Sequence, residues 1–241
     1  MKFYCRLILL ILSVHSFSNV FSQNATEKEQ VNHQVWIDFY PHYYVNDKVE
    51  YYGDTGFRTI IGERSWNRLY IRPSIKYHLT KKWEIHTGLG LFYIYNINDF
   101  DQFEVTPWQG VQFNGNESKK LNFKHLFKVE ERWVYLSTGS KMNFEFRLRY
   151  KLSGRIKLKN NWSIPFYGEM FLPLTGKFDE LYQNKGRAGL GVAYKISEKW
   201  KVSFIGNWQR SKSGIGEEVN VSDYIYQIKI KKVWSPLIKL K

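Results

Sequence analysis

The sequence predicts an all-β protein, an antiparallel up-and-down transmembrane β-barrel of about twelve strands, with about ten as the alternative. The strongest indication is the run 142–158, in which apolar and polar side chains alternate with the period of a two-faced strand. This run is several times longer than the roughly 5–6 residues that are usual for strands of soluble domains. Aromatic residues make up 18% of the chain, although its mean hydropathy is negative. That combination is typical of a barrel with a polar lumen and aromatic girdles.

The N-terminal residues have the composition of a secretory signal peptide. Lys2 and Arg6 form a basic end, and residues 7–14 form an apolar core that is too short to span a bilayer. Cys5, the only cysteine, lies in this segment, so we expect neither disulfides nor thiolate chemistry in the mature chain. The expected organisation is a signal peptide at 1–22, a flexible segment at 23–34, the barrel at 35–234 and a short C-terminal tail at 235–241.

Alternating segments follow one another from residue 35 onward, and each has an apolar face suited to lipid. They are 35–45, 48–58, 67–79, 83–95, 102–113, 121–135, 142–158, 162–173, 186–196, 200–210 and 223–233. Leu69, Ile71 and Ile75 illustrate the apolar face of the third segment, and Val202 and Phe204 that of the tenth. Helical spacing fits these segments less well than a period of two.

Short and long connections alternate between the segments, as expected for an up-and-down barrel with short periplasmic turns and longer outer loops. The short turns centre on 46–48, 80–82, 159–161 and 197–199, and the longer connections are 59–66, 96–101, 174–185 and 211–222. Eleven segments conflict with the even number usual in bacterial barrels. We therefore expect one more strand before Trp36, or one hairpin divided wrongly. The strand prediction is weakest for segments 35–45 and 102–113, which contain Pro41 and Pro107. Proline has no backbone N–H and therefore removes one hydrogen-bond donor from the strand pairing.

The alternation along the strands predicts that many basic side chains face the interior of the barrel, together with Glu50, Asp54, Glu84 and other carboxylates. The charges are densest on neighbouring strands, where side chains come within pairing distance. We predict a lumen charge network of Lys128, Glu130, Arg132, Glu145, Arg147, Arg149, Glu169 and Arg187. These charges either plug the lumen with ion pairs, or line an anion-selective pore or a site for an acidic ligand.

Several short motifs carry a resemblance to a known family. They are Arg72-Pro73 before Tyr77, Pro107-Trp108-Gln109-Gly110, Glu130-Glu131-Arg132-Trp133, Arg147-Leu148-Arg149-Tyr150, Glu169-Met170-Phe171 and Gly189-Leu190-Gly191. With these motifs the chain resembles a family of Bacteroidota outer-membrane β-barrel proteins known as a domain of unknown function. The resemblance implies a barrel fold and an outer-membrane location, and it implies no activity.

Composition and histidine spacing bear on the partners of the protein and on whether it is an enzyme. The formal charge is +14, and an exported basic barrel meets anionic lipid before nucleic acid. We therefore expect outer-membrane lipid and lipopolysaccharide as partners in a Gram-negative bacterium, without nucleic acid. An extracellular ligand would bind at 174–185 and 211–222. Glu84 and His86 are the best pair for a lipid-modifying enzyme, but we expect a structural or surface-interaction protein without catalysis, cofactor or metal.

Overall fold

The computed structural model describes residues 29–62, 66–97, 100–115, 118, 120–137, 142–175, 183–213 and 219–235. These residues form eleven strands: β1 (Glu29–Tyr44), β2 (Val49–Ile61), β3 (Trp66–His78), β4 (Trp83–Asn96), β5 (Gln102–Asn114), β6 (Leu121–Leu136), β7 (Met142–Lys157), β8 (Trp162–Pro173), β9 (Gln183–Lys195), β10 (Trp200–Ser213) and β11 (Val219–Trp234). In this part of the chain we find no helix that is long and apolar enough to cross a membrane.

The strands form one closed barrel, so the predicted all-β barrel fold is confirmed. Each strand pairs antiparallel with its neighbours in sequence, and β1 closes the barrel against β11 in parallel register, from Glu29 opposite Asn220 to Tyr43 opposite Trp234. We expected an even number of strands, but the described residues form eleven. Strand direction alternates along a meander, so an odd number gives the first and last strands the same direction. The closing pair must then be parallel.

One end of the barrel, here called the turn end, carries the connections after β1, β3, β5, β7 and β9. Asn160 and Asn161 both have positive φ, 54° and 64°, in the turn between β7 and β8. Asparagine tolerates this conformation, which two-residue hairpins require because its twist matches that of the strands. The opposite end, here called the loop end, carries the other connections and the start of β1.

Both prolines that weakened the sequence prediction lie within strands. On β5, the pairing with β6 is interrupted at positions 106 and 107, between Val105 opposite Trp133 and Trp108 opposite Glu130. The pairing of β1 with β2 is interrupted in the same way next to Pro41. In both places the ladder resumes in the same register. A proline therefore removes local bonds without ending the strand.

Strand bounds differ from the expected segments mainly at the loop end. Residues 29–34, which we expected to be flexible, belong to β1 and pair with β11. Strand β10 extends to Ser213 and β11 begins at Val219, so most of the expected loop 211–222 is strand. Strand β9 begins at Gln183, inside the expected loop 174–185. The expected signal peptide at 1–22 lies outside the described residues, as does all of the expected tail except Ser235.

The two faces of the barrel wall have opposite chemistry. Large apolar side chains are exposed on the outside, for example Met170 at 63%, Leu190 at 62% and Phe127 at 59%. The inside buries carboxylates, such as Glu50 at 1% and Glu130 at 2%. Buried residues are therefore mainly polar, the reverse of the usual pattern in a soluble protein.

Candidate functional site

The strand register brings the predicted lumen charge network together on β6, β7, β8 and β9. Glu130 lies opposite Arg147, and Arg132 opposite Glu145, across β6 and β7. Glu169 on β8 lies opposite Arg187 on β9. Because these residues share the inward parity, opposite charges face each other across each ladder.

Glu130 is the most heavily contacted carboxylate of the network. Arg147 donates to its Oε2 from Nη2 at 2.6 Å and from Nε at 2.8 Å. Arg149 donates to its Oε1, and the Nζ of Lys128 lies 3.2 Å from the same oxygen. Arg149 continues to Glu169 at 2.6 Å. One buried carboxylate thus contacts three cations.

Arg132 forms the second group of the network. Its Nε and Nη2 both donate to Glu104 at 3.0 Å, in the two-pronged geometry that suits a guanidinium and a carboxylate. Its Nη1 donates to Glu145 at 3.0 Å. Glu104 was not assigned to the lumen from the sequence. It shares the parity of Trp108 and Gln112, and the proline in that segment obscured this signal.

Arg187 joins the network less tightly than the other members. Its Nη1 lies 3.7 Å from Glu169, and its Nε donates to Gln209 at 2.8 Å. Its guanidinium carbon lies 4.7 Å from the ring centroid of Trp36. Contacts with β1 and β10 therefore extend the network toward the parallel seam of the barrel.

A further buried group joins β1, β2 and β3, and sequence reasoning found only part of it. Asp54 accepts from the Nε of Arg72 at 2.9 Å and from the hydroxyl of Tyr70 at 3.1 Å. Asp38, which is 1% exposed and was not predicted to face inward, accepts from Tyr70 at 2.6 Å. The Nε of Arg58 lies 3.8 Å from Asp38. Asp38 shares the inward parity of Gln34 and Trp36, and the aromatic Trp36 on that face obscured the signal.

A cavity of about 90 Å³ lies among these groups in the barrel interior. Its lining is dominated by basic and aromatic side chains. The lining residues are Trp36, Tyr40, Arg58, Arg68, Arg72, Phe92, Glu104, Arg132, Arg147, Arg149, Lys151, Tyr167, Glu169, Phe171, Arg187, Gln227 and Lys229. Nine of them are cations and two are carboxylates.

The histidines that could support catalysis lie toward the turn end of the interior. His86 is 3% exposed, its Nδ1 lies 2.6 Å from the hydroxyl of Tyr52, and its Nε2 lies 3.4 Å from Glu84. His78 contacts the same carboxylate at 3.1 Å. The described residues contain no cluster of three or more His, Cys, Asp or Glu arranged to hold a metal ion. Glu84 and His86 thus form part of a polar layer that fills this end of the lumen.

Comparison with known proteins adds a family and no activity. A search of curated proteins found no match to this chain. A family model described as "Protein of unknown function (DUF2490)" matches residues 33–220, from the first strand to the start of the last. This match covers well over half of the chain, and the chain therefore belongs to the DUF2490 family.

Proposed function

We propose that this protein is an outer-membrane β-barrel of a Gram-negative bacterium, exported by its N-terminal signal peptide. In this proposal its lumen is plugged by ion pairs and its role is structural or in surface interactions. The observation that carries the proposal is the reversed polarity of the wall, with apolar side chains outside and charged side chains inside.

The apolar outer face supports a membrane location. Soluble monomers rarely expose a contiguous apolar patch larger than about 300–600 Å². Here large apolar side chains such as Leu69, Phe127, Leu190 and Phe204 are exposed on strands all around the barrel. Lipid chains would cover this surface at no hydrophobic cost, which supports outer-membrane lipid as the surrounding partner.

The spacing of aromatic side chains fits the thickness of a membrane. Trp83, Trp162 and Trp234 are exposed at the turn end, and Tyr93 and Tyr135 are exposed nearer the loop end. Trp83 and Tyr93 are ten residues apart on β4. At about 3.4 Å per residue and a tilt of about 35–45°, they are separated by about 24–28 Å along the barrel axis. The apolar band of such barrels is about 25 Å tall.

The interior supports a plug better than a wide pore. Long side chains reach across the lumen and pair there: Arg149 bridges Glu130 and Glu169, and Arg132 bridges Glu104 and Glu145. Barrels of about eight strands have interiors just filled by side chains, and the diameter grows with strand number. Between these paired side chains, the eleven strands enclose the cavity of about 90 Å³.

A narrow anion-selective pore is the second candidate, and the excess of cations around the cavity favours it. Rings of arginine and lysine select anions in channels. The lipid-modifying enzyme is a weaker alternative, because His86 is enclosed by Tyr52, Glu84 and the barrel wall rather than facing lipid. If the protein acts through its surface, the connections after β8 and β10 are the places to seek a ligand.

Cell fractionation with heat-modifiable gel migration tests the proposal. The protein should be recovered in the outer-membrane fraction, and it should migrate faster when unheated because the closed barrel resists the detergent. A matched chain beginning at Gln23, without the proposed signal peptide, should remain in the cytoplasm. Recovery of the full chain in the soluble periplasm without detergent would overturn the membrane assignment.

A further inference from the structure

The lumen cavity has the properties of an anion-binding site. We propose that it binds one free divalent oxyanion of the phosphate or sulfate type, held by Arg58, Lys151 and Lys229. This inference goes beyond the proposed function and requires only the closed barrel. It can therefore fail or succeed independently of the membrane location.

The cavity is surrounded by more cations than carboxylates. Nine cations line it, and six of them form ion pairs with a total of six carboxylates. These carboxylates are Asp38, Asp54, Glu104, Glu130, Glu145 and Glu169. Lys151 and Lys229 add two positive charges for which the described residues supply no carboxylate within 4.0 Å. Buried charge without a counter-charge is strongly unfavourable, so this excess calls for an anion.

Arg58 carries a hydrogen-bond donor that the described residues leave without a partner. Arg58 is 6% exposed and is stacked between Trp36 at 3.8 Å and Tyr70 at 4.4 Å. Its Nε has no hydrogen-bond partner in the described structure, and its nearest carboxylate contact is Asp38 at 3.8 Å. A buried guanidinium normally has its donors satisfied. This one lines the cavity with donors to spare.

Two lysines, Lys151 and Lys229, line the cavity together with Arg58. The Nζ of Lys151 lies 4.2 Å from the ring centroid of Tyr167, and the Nζ of Lys229 lies 5.5 Å from the same centroid. Within the described part of the chain, neither ammonium group has a carboxylate within 4.0 Å. Two like charges converge on one ring from β7 and β11. A shared anion between them would turn this repulsion into attraction.

The volume of the cavity and the chemistry of its donors indicate the class of anion. A cavity of about 90 Å³ is larger than the roughly 10–15 Å³ that one water molecule needs, and it suits an ion of a few heavy atoms. Guanidinium and ammonium groups together are the usual partners of phosphate and sulfate oxygens. A divalent oxyanion offsets more of the excess charge than a monovalent ion. A lipid headgroup would have to pass its chains through the barrel wall, so we infer a free ion.

The test uses purified protein unfolded in urea and refolded in synthetic detergent with radiolabelled inorganic phosphate as the probe. Because no lipid is present, any bound phosphate is the free ion. After gel filtration the refolded barrel should retain close to one phosphate, and sulfate should compete for it. Lys151→Gln and Lys229→Gln should each weaken binding roughly tenfold or more, since a hydrogen bond to a charged group is worth about that factor.

The matched control is the double variant Lys81→Gln/Lys82→Gln, which removes two charges from an exposed turn and should bind phosphate like the unchanged protein. Heat-modifiable migration reports folding of each variant. The charge-conserving Lys229→Arg should retain binding even if a glutamine variant does not fold. Absence of bound phosphate in the unchanged protein, or equal binding by Lys229→Gln and the turn control, would overturn the inference.

Discussion

Replacing Glu130 with glutamine should destabilise the barrel by about 3–5 kcal/mol, the usual cost of removing one partner of a buried ion pair. Glu130 is 2% exposed and contacts Arg147, Arg149 and Lys128. Glutamine has nearly the same shape, so the loss would be electrostatic and would leave three buried cations sharing the remaining carboxylates. The control is Glu131→Gln on the next residue, which lies on the outer parity and should change stability by only about 0.5 kcal/mol.

The assay is urea unfolding in detergent micelles, followed by the ratio of the folded and unfolded bands on unheated gels. Combining Glu130→Gln with Arg147→Gln removes one of the cations left without a partner. The double variant should therefore lose at least about 0.5–1 kcal/mol less than the sum of the two single losses. Equal unfolding midpoints for Glu130→Gln and Glu131→Gln would refute the reasoning. So would strict additivity of the double variant, because it would mean that the two side chains do not interact.

Three further outcomes follow from the wall and the lumen. Leu148→Arg places a charge on the outer face and should cost about 2–4 kcal/mol near the middle of a membrane, whereas Arg149→Leu should still insert; equal assembly yields for the two would reverse the assigned faces. Gly56→Ala brings a Cβ to 2.4 Å from Asp38 Oδ1 and 2.6 Å from a backbone oxygen, whereas nothing lies within 4 Å of one at Gly168. Gly56→Ala should therefore lose about 1–3 kcal/mol in urea titrations and Gly168→Ala little; equal unfolding midpoints for the two variants would contradict the close packing at Gly56. In planar bilayers the unchanged protein should give no steady current; stable anion-selective current weakened by Arg147→Glu would favour the pore instead.

The faces of the strands were predictable because they depend only on local alternation. The run 142–158 places Arg147 and Arg149 on one side and Phe144 and Leu148 on the other, and no other part of the chain is needed to infer this. The same parity placed Glu130 and Glu169 toward the same interior. Register between neighbouring strands then follows from the short turns, which is why much of the charge network could be anticipated.

Closure of the barrel was not predictable from the sequence. Whether β1 meets β11 in parallel is decided by the total number of strands and the sheet curvature, and neither is written in a local pattern. Residues 29–34 also hide their strand character, since Asn32 and Gln34 face inward as polar groups and only Val31 supplies an apolar outward residue. Asp38 gains a further partner through this closure, because Gln227 on β11 donates to its carboxylate.

The central claim is that the apolar face of the wall contacts lipid while the polar face does not, and adjacent residues on one strand test it most directly. Cys5 is the only native cysteine, so Leu152→Cys and Ser153→Cys each add one labelling site to a mature chain that lacks one. Each variant would carry a small fluorophore and be reconstituted in vesicles of brominated and unbrominated lipid. Bromine should strongly quench the label at position 152, which lies on the outer parity, and leave the label at 153 nearly unchanged. Equal quenching at both positions, or stronger quenching at 153, would contradict the account.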